Sequence, residues 1–153
     1  NTKTKVVGLR FFTVYGPWGR PDMAVYKFTD KIFKNKKIEL FNNGKHTRDF
    51  SYIDDVVNSI TKLLKKEKKL KTFQVFDIGK SYSDKLKNLI KFIEKSTKKK
   101  FKIIKRNKQL GDVDNTFSSN KELYRLINFK PKTSLSTGIN KFVNWYKKYN
   151  RIK

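Results

Sequence analysis

The stretch Gly8-Leu9-Arg10-Phe11-Phe12-Thr13-Val14-Tyr15-Gly16-Pro17-Trp18-Gly19-Arg20-Pro21-Asp22-Met23 joins an apolar segment to a loop rich in glycine and proline. The apolar run begins at Val6 and is typical of a strand buried on both faces of a parallel sheet. The glycines and prolines then indicate a loop that leaves the carboxyl end of this strand. Because ligands of open α/β sheets bind at such ends, we expect a binding site near this loop.

The rest of the chain predicts an α/β fold in which short strands alternate with amphipathic helices. Strands are expected at 6–14, 38–41, 48–53, 73–78 and 101–104, and helices at 22–35 and 54–66 and around 86–93, 123–127 and 139–146. Asp22 and Asp54 are expected to be N-caps, and Ser81/Asp84 and Ser119/Glu122 have the spacing of capping boxes. Asn128 is expected to end a helix in the left-handed conformation. The strands at 6–14 and 73–78 suggest a parallel sheet, and such a sheet needs more neighbours than this chain supplies. The sequence therefore predicts that further strands lie upstream.

Length and composition indicate one domain without disulfides or a membrane span. The chain has 153 residues and no cysteine, which excludes disulfides and thiolate metal sites. No apolar run is long enough for a membrane span, and the N-terminus lacks the features of a signal peptide, so a soluble cytoplasmic protein is expected. His46, the single histidine, is expected in an exposed loop rather than as a metal ligand.

The formal net charge of +25 raises the alternative of a basic module that binds nucleic acid or other polyanions. Lysine dominates over arginine, which is the usual bidentate ligand of phosphates and bases. The lysines are also spread along the whole chain. We therefore expect only weak, non-specific attraction to nucleic acid, which salt would remove.

Five segments carry a resemblance to a known family, in that family's order and spacing. They are GLRFFTVYGPWGRPDM at 8–23, RDFSYIDDVV at 48–57, FDIG at 76–79, GDV at 111–113, and 138–146. Together they resemble the C-terminal half of extended short-chain dehydrogenase/reductases of the NAD-dependent epimerase/dehydratase family. Among these enzymes the sequence is most similar to UDP-glucuronate 4-epimerases.

The resemblance implies a fold, an activity and a missing part. Residues 1–153 would supply the last strands of a Rossmann-type parallel sheet and the small α/β substrate domain, without the dinucleotide-binding part. The family uses NAD to oxidise and re-reduce a sugar at C4, with a Tyr-x-x-x-Lys pair for proton transfer. This sequence has no Gly-rich nucleotide fingerprint, and Tyr149-x-x-x-Lys153 lies too close to the C-terminus to match the pair. We therefore expect no catalytic residue in the chain and no turnover by it alone. The complete enzyme would form a homodimer.

Four positions match family residues around the sugar, the nicotinamide and the diphosphate. Thr13 matches a residue facing the hexose, although a backbone turn contact is an equal alternative for its hydroxyl. Arg20 matches the arginine near the glucuronate carboxylate, and Phe12 matches a residue lying against the nicotinamide. Arg48 matches the arginine that binds the diphosphate. For Arg20 the alternative is an ordinary surface cation, and for Phe12 a plain core aromatic is compatible with the family role.

Four further positions match residues around the nucleoside. Glu39, Leu40 and Phe41 match a strand whose backbone meets the uracil, and Asp112 matches the aspartate near the ribose hydroxyls. Many relatives have Arg-x-Gly-Asp at the last site, whereas this chain has Gln109-Leu110-Gly111-Asp112, which leaves a second phosphate cation unassigned. The predicted ligand is UDP-glucuronate or UDP-galacturonate. Other UDP-hexose epimerases and 4,6-dehydratases remain alternatives, because they share most of these motifs.

Overall fold

A computed structural model describes residues 4–108, 111 and 113–152 and confirms an α/β fold. The strands are β1 (Val6–Phe11), β2 (Thr13–Tyr15), β3 (Ile38–Phe41), β4 (Thr47–Arg48), β5 (Phe50–Tyr52), β6 (Phe73–Ile78), β7 (Asp84–Lys85) and β8 (Ile103–Arg106). The helices are α1 (Ala24–Phe33), α2 (Ile53–Leu64), α3 (Leu86–Thr97), α4 (Lys121–Ile127) and α5 (Leu135–Tyr149). None of the helices in these residues is long and apolar enough to cross a membrane.

The predicted single strand at 6–14 is two strands that belong to different sheets. β1 pairs in parallel with β6, Val6 opposite Phe73, and β2 pairs in parallel with β5, Thr13 opposite Phe50. The break lies at Phe12, whose carbonyl accepts a hydrogen bond from the Val14 N–H at 2.9 Å. Thr13 therefore lies where the chain crosses from one sheet to the other.

Two hydrophobic cores lie on either side of this crossing. The larger packs α1, α3 and α5 around β2, β3 and β5, and the smaller packs α2 and α4 against β6. Val25, Phe28 and Ile32 of α1 are buried and belong to the larger core. The larger core holds β2, β3 and β5, which border the site described below.

The outer side of β1, β6 and α2 leaves apolar side chains uncovered. In α2, Val57 and Leu64 are 50% and 70% exposed, whereas Val56 and Leu63 are buried. Val6 and Phe73 are also exposed, so this sheet is not covered on both faces by the described residues. An apolar groove of about 520 Å³ runs beside β1 and is lined by Val7, Leu9, Ile60, Leu63, Leu64 and Leu70, among others.

Most of the predicted helix starts were wrong by one or more residues. The N-cap of α1 is Met23 rather than Asp22, and Asp54 lies inside the first turn of α2. The capping boxes are absent, because α3 begins after Lys85 and the N-cap of α4 is Asn120. Asn128 does take the predicted left-handed conformation after α4, with φ 47°.

The displaced capping residues serve long-range contacts instead. Asp84 lies in β7, opposite Arg48 of β4. The Ser81 N–H donates to a carboxylate oxygen of Asp49 at 3.0 Å, and the Ser119 N–H donates to Asp77 at 3.0 Å. Local spacing could not reveal these partners, because they are tens of residues away along the chain.

The carboxylate of Asp49 is fully buried and joins three chain segments. Its Oδ1 accepts hydrogen bonds from the Lys80 N–H at 2.8 Å and from the Ser51 hydroxyl at 2.9 Å. Its Oδ2 accepts from the Ser81 N–H and from both the N–H and the hydroxyl of Ser118. A buried carboxylate is stable only with such donors, so Asp49 holds the loop after β6 and the segment before α4 against β5.

We predict that Asp49→Ala lowers the free energy of unfolding by about 3 kcal/mol or more, because it leaves several buried donors without an acceptor. Urea denaturation would measure the loss. Asp54→Ala is the matched control, since that carboxylate is exposed and its ion pair with Lys141, at 3.8 Å, is also exposed. Similar stability of the two variants would contradict the structural role of Asp49.

The hydroxyl of Tyr15 is buried and has no hydrogen-bond partner among the described residues. It packs against the backbone of Gly138 in α5, where any side chain at position 138 would overlap it. Burial is the largest cause that raises the pKa of Tyr15 well above its usual value, and the nearby Tyr52, Asp84 and Asp55 raise it further. The folded protein therefore holds this proton more tightly than the unfolded chain does.

We predict that Tyr15→Phe is neutral or stabilising at pH 7, because it removes a buried polar atom without a partner. Above a pH of about 10 the wild type should lose stability, since only the unfolded chain readily releases the Tyr15 proton. The variant should lose less. Thermal unfolding between pH 7 and pH 11 tests this, with Tyr149→Phe as control because Tyr149 is 54% exposed. Equal alkaline losses in both variants would contradict the prediction.

Candidate functional site

A cleft of about 500 Å³ lies between α1, β3 and the ends of β4 and β5. We call it the main cleft. It is lined by Thr13, Asp22, Met23, Ala24, Lys27, Phe28, Lys31, Glu39, Phe41, His46, Arg48, Phe50 and Leu86. Four of the predicted site residues, Thr13, Glu39, Phe41 and Arg48, thus meet in one cavity. Its volume falls in the range typical of small-molecule and cofactor sites.

Arg48 is held at the cleft by a segment distant in sequence. Its guanidinium donates to the carbonyl of Thr47 at 2.9 Å and to that of Asp114 at 3.3 Å. The Thr47 N–H donates to the same Asp114 carbonyl, and the Thr116 N–H donates to the Thr47 carbonyl. The 114–116 segment therefore lies along β4 and orients the arginine beside the cleft.

The predicted uracil strand, β3, forms one wall of the cleft. Glu39 and Phe41 line the cavity, whereas Leu40 is buried in the larger core. The side chain of Leu40 is therefore not available to a ligand, which leaves its backbone for the predicted contact. β3 pairs in parallel with β8. Oε1 of Glu39 accepts a hydrogen bond from Nε of Arg106 at 2.9 Å and lies 2.8 Å from Nη2 of the same guanidinium.

Arg20 lies at the rim and does not line the main cleft. Its guanidinium makes a two-point contact with the carboxylate of Asp22, at 3.1 and 2.6 Å, and both side chains are exposed. This contact is the main cause that lowers the pKa of Asp22 below its usual value. Trp18, with φ 63°, packs its ring against Trp145 of α5 and anchors the loop.

Two predicted site residues, Phe12 and Asp112, are not found in the cleft: Phe12 lies away from it, and Asp112 is outside the described residues. Phe12 is half-buried at the end of β1, where its N–H donates to the Ile78 carbonyl at 3.3 Å. Asp112, with Gln109 and Leu110 of the same motif, lies outside the described residues. The roles of Phe12 and Asp112 remain predictions.

His46 was predicted to be exposed, and the structure corrects this: it is 4% exposed and lines the cleft. Its Nε2 lies 3.5 Å from Oδ1 of Asp114. The loop folds inward because the His46 carbonyl accepts the Leu86 N–H at the start of α3. The described residues contain no group of side chains suited to a metal ion.

Sequence reasoning also missed Lys27 and Lys31 on α1. Both line the cleft from the helix side, one turn apart. Their spacing of four residues places them on one face of the helix. In a chain with 38 lysines and arginines, such spacing carries no distinguishing signal.

The sequence profile of the NAD dependent epimerase/dehydratase family matches residues 1–79, just over half of the chain. The chain belongs to this family. It is 40% identical to protein CapI of Staphylococcus aureus over 93% of this chain and 47% of CapI. It is 39% identical to UDP-glucuronate 4-epimerase 4 of Arabidopsis thaliana, over 94% of this chain and 36% of that protein.

Among solved structures, the chain is similar to the UDP-glucuronic acid 4-epimerase of Bacillus cereus in complex with UDP-glucuronic acid and NAD. The identity is 30% and the TM-score is 0.83, over 92% of this chain and 45% of that one. The chain thus spans less than half the length of each of these three proteins.

Proposed function

We propose that this chain forms the nucleotide-sugar-binding part of a UDP-glucuronate 4-epimerase-like enzyme. The observation that carries the proposal is the meeting of Thr13, Glu39, Phe41 and Arg48 in one cleft from separate parts of the chain. Their family positions contact successive parts of the ligand, from sugar to uracil. The similarity to the Bacillus cereus enzyme, whose complex contains UDP-glucuronic acid, supports the same ligand class.

Arg48 binds the diphosphate in this proposal. A guanidinium presents several N–H donors in one plane and so binds phosphate oxygens well. The contacts with the Thr47 and Asp114 carbonyls orient the guanidinium, which lowers the entropy lost on binding. The uracil then lies along β3, where backbone groups and the half-buried Phe41 are at the cleft wall. Asp112 is proposed to contact the ribose.

The sugar end lies near Thr13 and Arg20 in this proposal. The Thr13 hydroxyl donates to the hexose or its carboxylate. Arg20 now makes a two-point contact with Asp22, and the glucuronate carboxylate offers the same geometry. Because the pair is exposed, exchanging one carboxylate for the other costs little. The exchange would bring Arg20 from the rim to the ligand and distinguish UDP-glucuronate from UDP-glucose.

NAD would accept the hydride from C4 and return it to the opposite face of the sugar. In this chain, Phe12 is proposed to lie against the nicotinamide. The proton-transferring Tyr and Lys would come from the dinucleotide-binding part, so this chain alone would bind the ligand without turning it over. A homodimer of the complete enzyme remains a prediction from the family resemblance.

We also propose that a dinucleotide-binding part packs against β1 and α2. The exposed Val6 and Phe73 and the apolar groove lined by Leu64 support this arrangement. An added parallel strand and helix would bury these side chains, and apolar burial contributes about 25 cal/mol per Å². The match to less than half of each relative named above agrees with such a division.

We predict that this chain co-purifies with the half of Staphylococcus aureus CapI that it does not match, when the two are co-expressed. Leu64→Glu should abolish co-purification, because it places a charge in the apolar groove. Val113→Glu is the control, since Val113 is also exposed but does not line the groove. Equal recovery with both variants would contradict the proposed packing.

We predict that Arg48→Ala weakens binding of UDP-glucuronate and of UDP about tenfold or more, because a charge-assisted contact to the diphosphate is lost. Isothermal titration calorimetry of the chain would measure both ligands. Arg125→Ala is the control, because Arg125 lies on α4 outside the main cleft. The proposed function would be wrong if the wild-type chain, with and without a dinucleotide-binding half, did not bind UDP-glucuronate.

A further inference from the structure

The α1 wall of the main cleft carries two lysines to which the resemblance assigns no role. Lys27 and Lys31 lie one turn apart, with Lys27 exposed and Lys31 half-buried. Neither ammonium has a carboxylate within 4 Å among the residues that the structure describes. Lys34, one turn further, differs: it pairs with Asp30 at 2.7 Å and does not line the cleft.

The acidic side chains of the cleft do not balance these lysines. Asp22 and Glu39 both line the cavity, and each is already engaged by an arginine. Asp22 is bound through both carboxylate oxygens by Arg20, and Glu39 is bound through Oε1 by Arg106. Arginine and carboxylate charges offset one another in pairs. Before a ligand binds, the charges of Lys27 and Lys31 are therefore an excess of positive charge on the α1 wall of the cleft.

A diphosphate requires such an excess. It carries two negative charges when both its ends are esterified, and Arg48 supplies one positive charge. Family members often have a second arginine before the Gly-Asp of the ribose loop, where this chain has Gln109. A second cation must come from elsewhere if the ligand is to be neutralised in a partly enclosed cavity, where charge pairing is stronger than in bulk water.

We infer that Lys27 and Lys31 bind the diphosphate from the α1 side, across the cleft from Arg48. The inference rests on the proposed function, because it concerns the same ligand and the same cavity. A lysine ammonium is a compact charge on a flexible stem, so it can reach a phosphate oxygen from either of two successive helical turns. The two lysines would thus replace the missing arginine of the ribose loop.

The test is calorimetric titration of the chain with UDP-glucuronate, UDP and uridine, at two salt concentrations. Lys31→Ala and Lys27→Ala should each weaken UDP binding several-fold, and the double variant at least about tenfold. Uridine binding should not change, because uridine has no phosphate. The salt dependence of UDP binding should decrease in the double variant, since fewer cations contact the ligand.

Lys34→Ala is the matched control, because Lys34 is the residue that follows α1, carries the same charge and does not line the cleft. Lys31→Arg should retain most of the affinity, because the positive charge stays. Wild-type affinity in the double variant, or an equal loss in Lys34→Ala, would overturn the inference while leaving the proposed function intact. Failure of the wild type to bind UDP would overturn both. Melting temperatures of the variants would show that each is folded.

Discussion

The buried carboxylate of Asp49 is the constraint on which the site depends. A carboxylate removed from water is stable only when hydrogen-bond donors replace that water, and here the donors come from three separate segments. The loop after β6 and the segment before α4 must therefore reach β5 for the fold to form. Arg48 immediately precedes Asp49 in sequence. The 114–116 segment that orients Arg48 leads into Ser118, which contacts Asp49. The polar network that stabilises the fold thus also places the cation of the cleft.

The crossing at Phe12 and Thr13 gives the cleft its position. β1 belongs to a sheet with β6, which packs on the smaller core, and β2 belongs to a sheet with β5, which packs on the larger core. Thr13, which follows the break, lines the main cleft. The loop with Arg20 leaves from the end of β2, which is why a rim residue of the cleft follows the first strands so closely in sequence.

The effect of a lysine in this chain depends on where it lies. Most of its lysines lie on the surface, where they contribute a diffuse positive field. In the main cleft, Lys27 and Lys31 lie beside acids that are already paired with arginines, and there we infer that they bind a diphosphate. Composition could not distinguish the surface lysines from the cleft lysines, because both are the same residue type.

The sequence alone was sufficient to predict α1, α2, β3 and β6, because the apolar residues of each element follow a local period. It was also sufficient to predict the family, because the family's motifs are contiguous in sequence. It did not predict that His46 is buried or that Ser81 and Asp84 contact segments far from α3 instead of capping it. Only the tertiary structure decided these, along with the position of Lys27 and Lys31 in the cleft. The physical reason is that periodicity records which face of an element is buried, whereas the partner of a polar side chain depends on segments that folding brings from far along the chain.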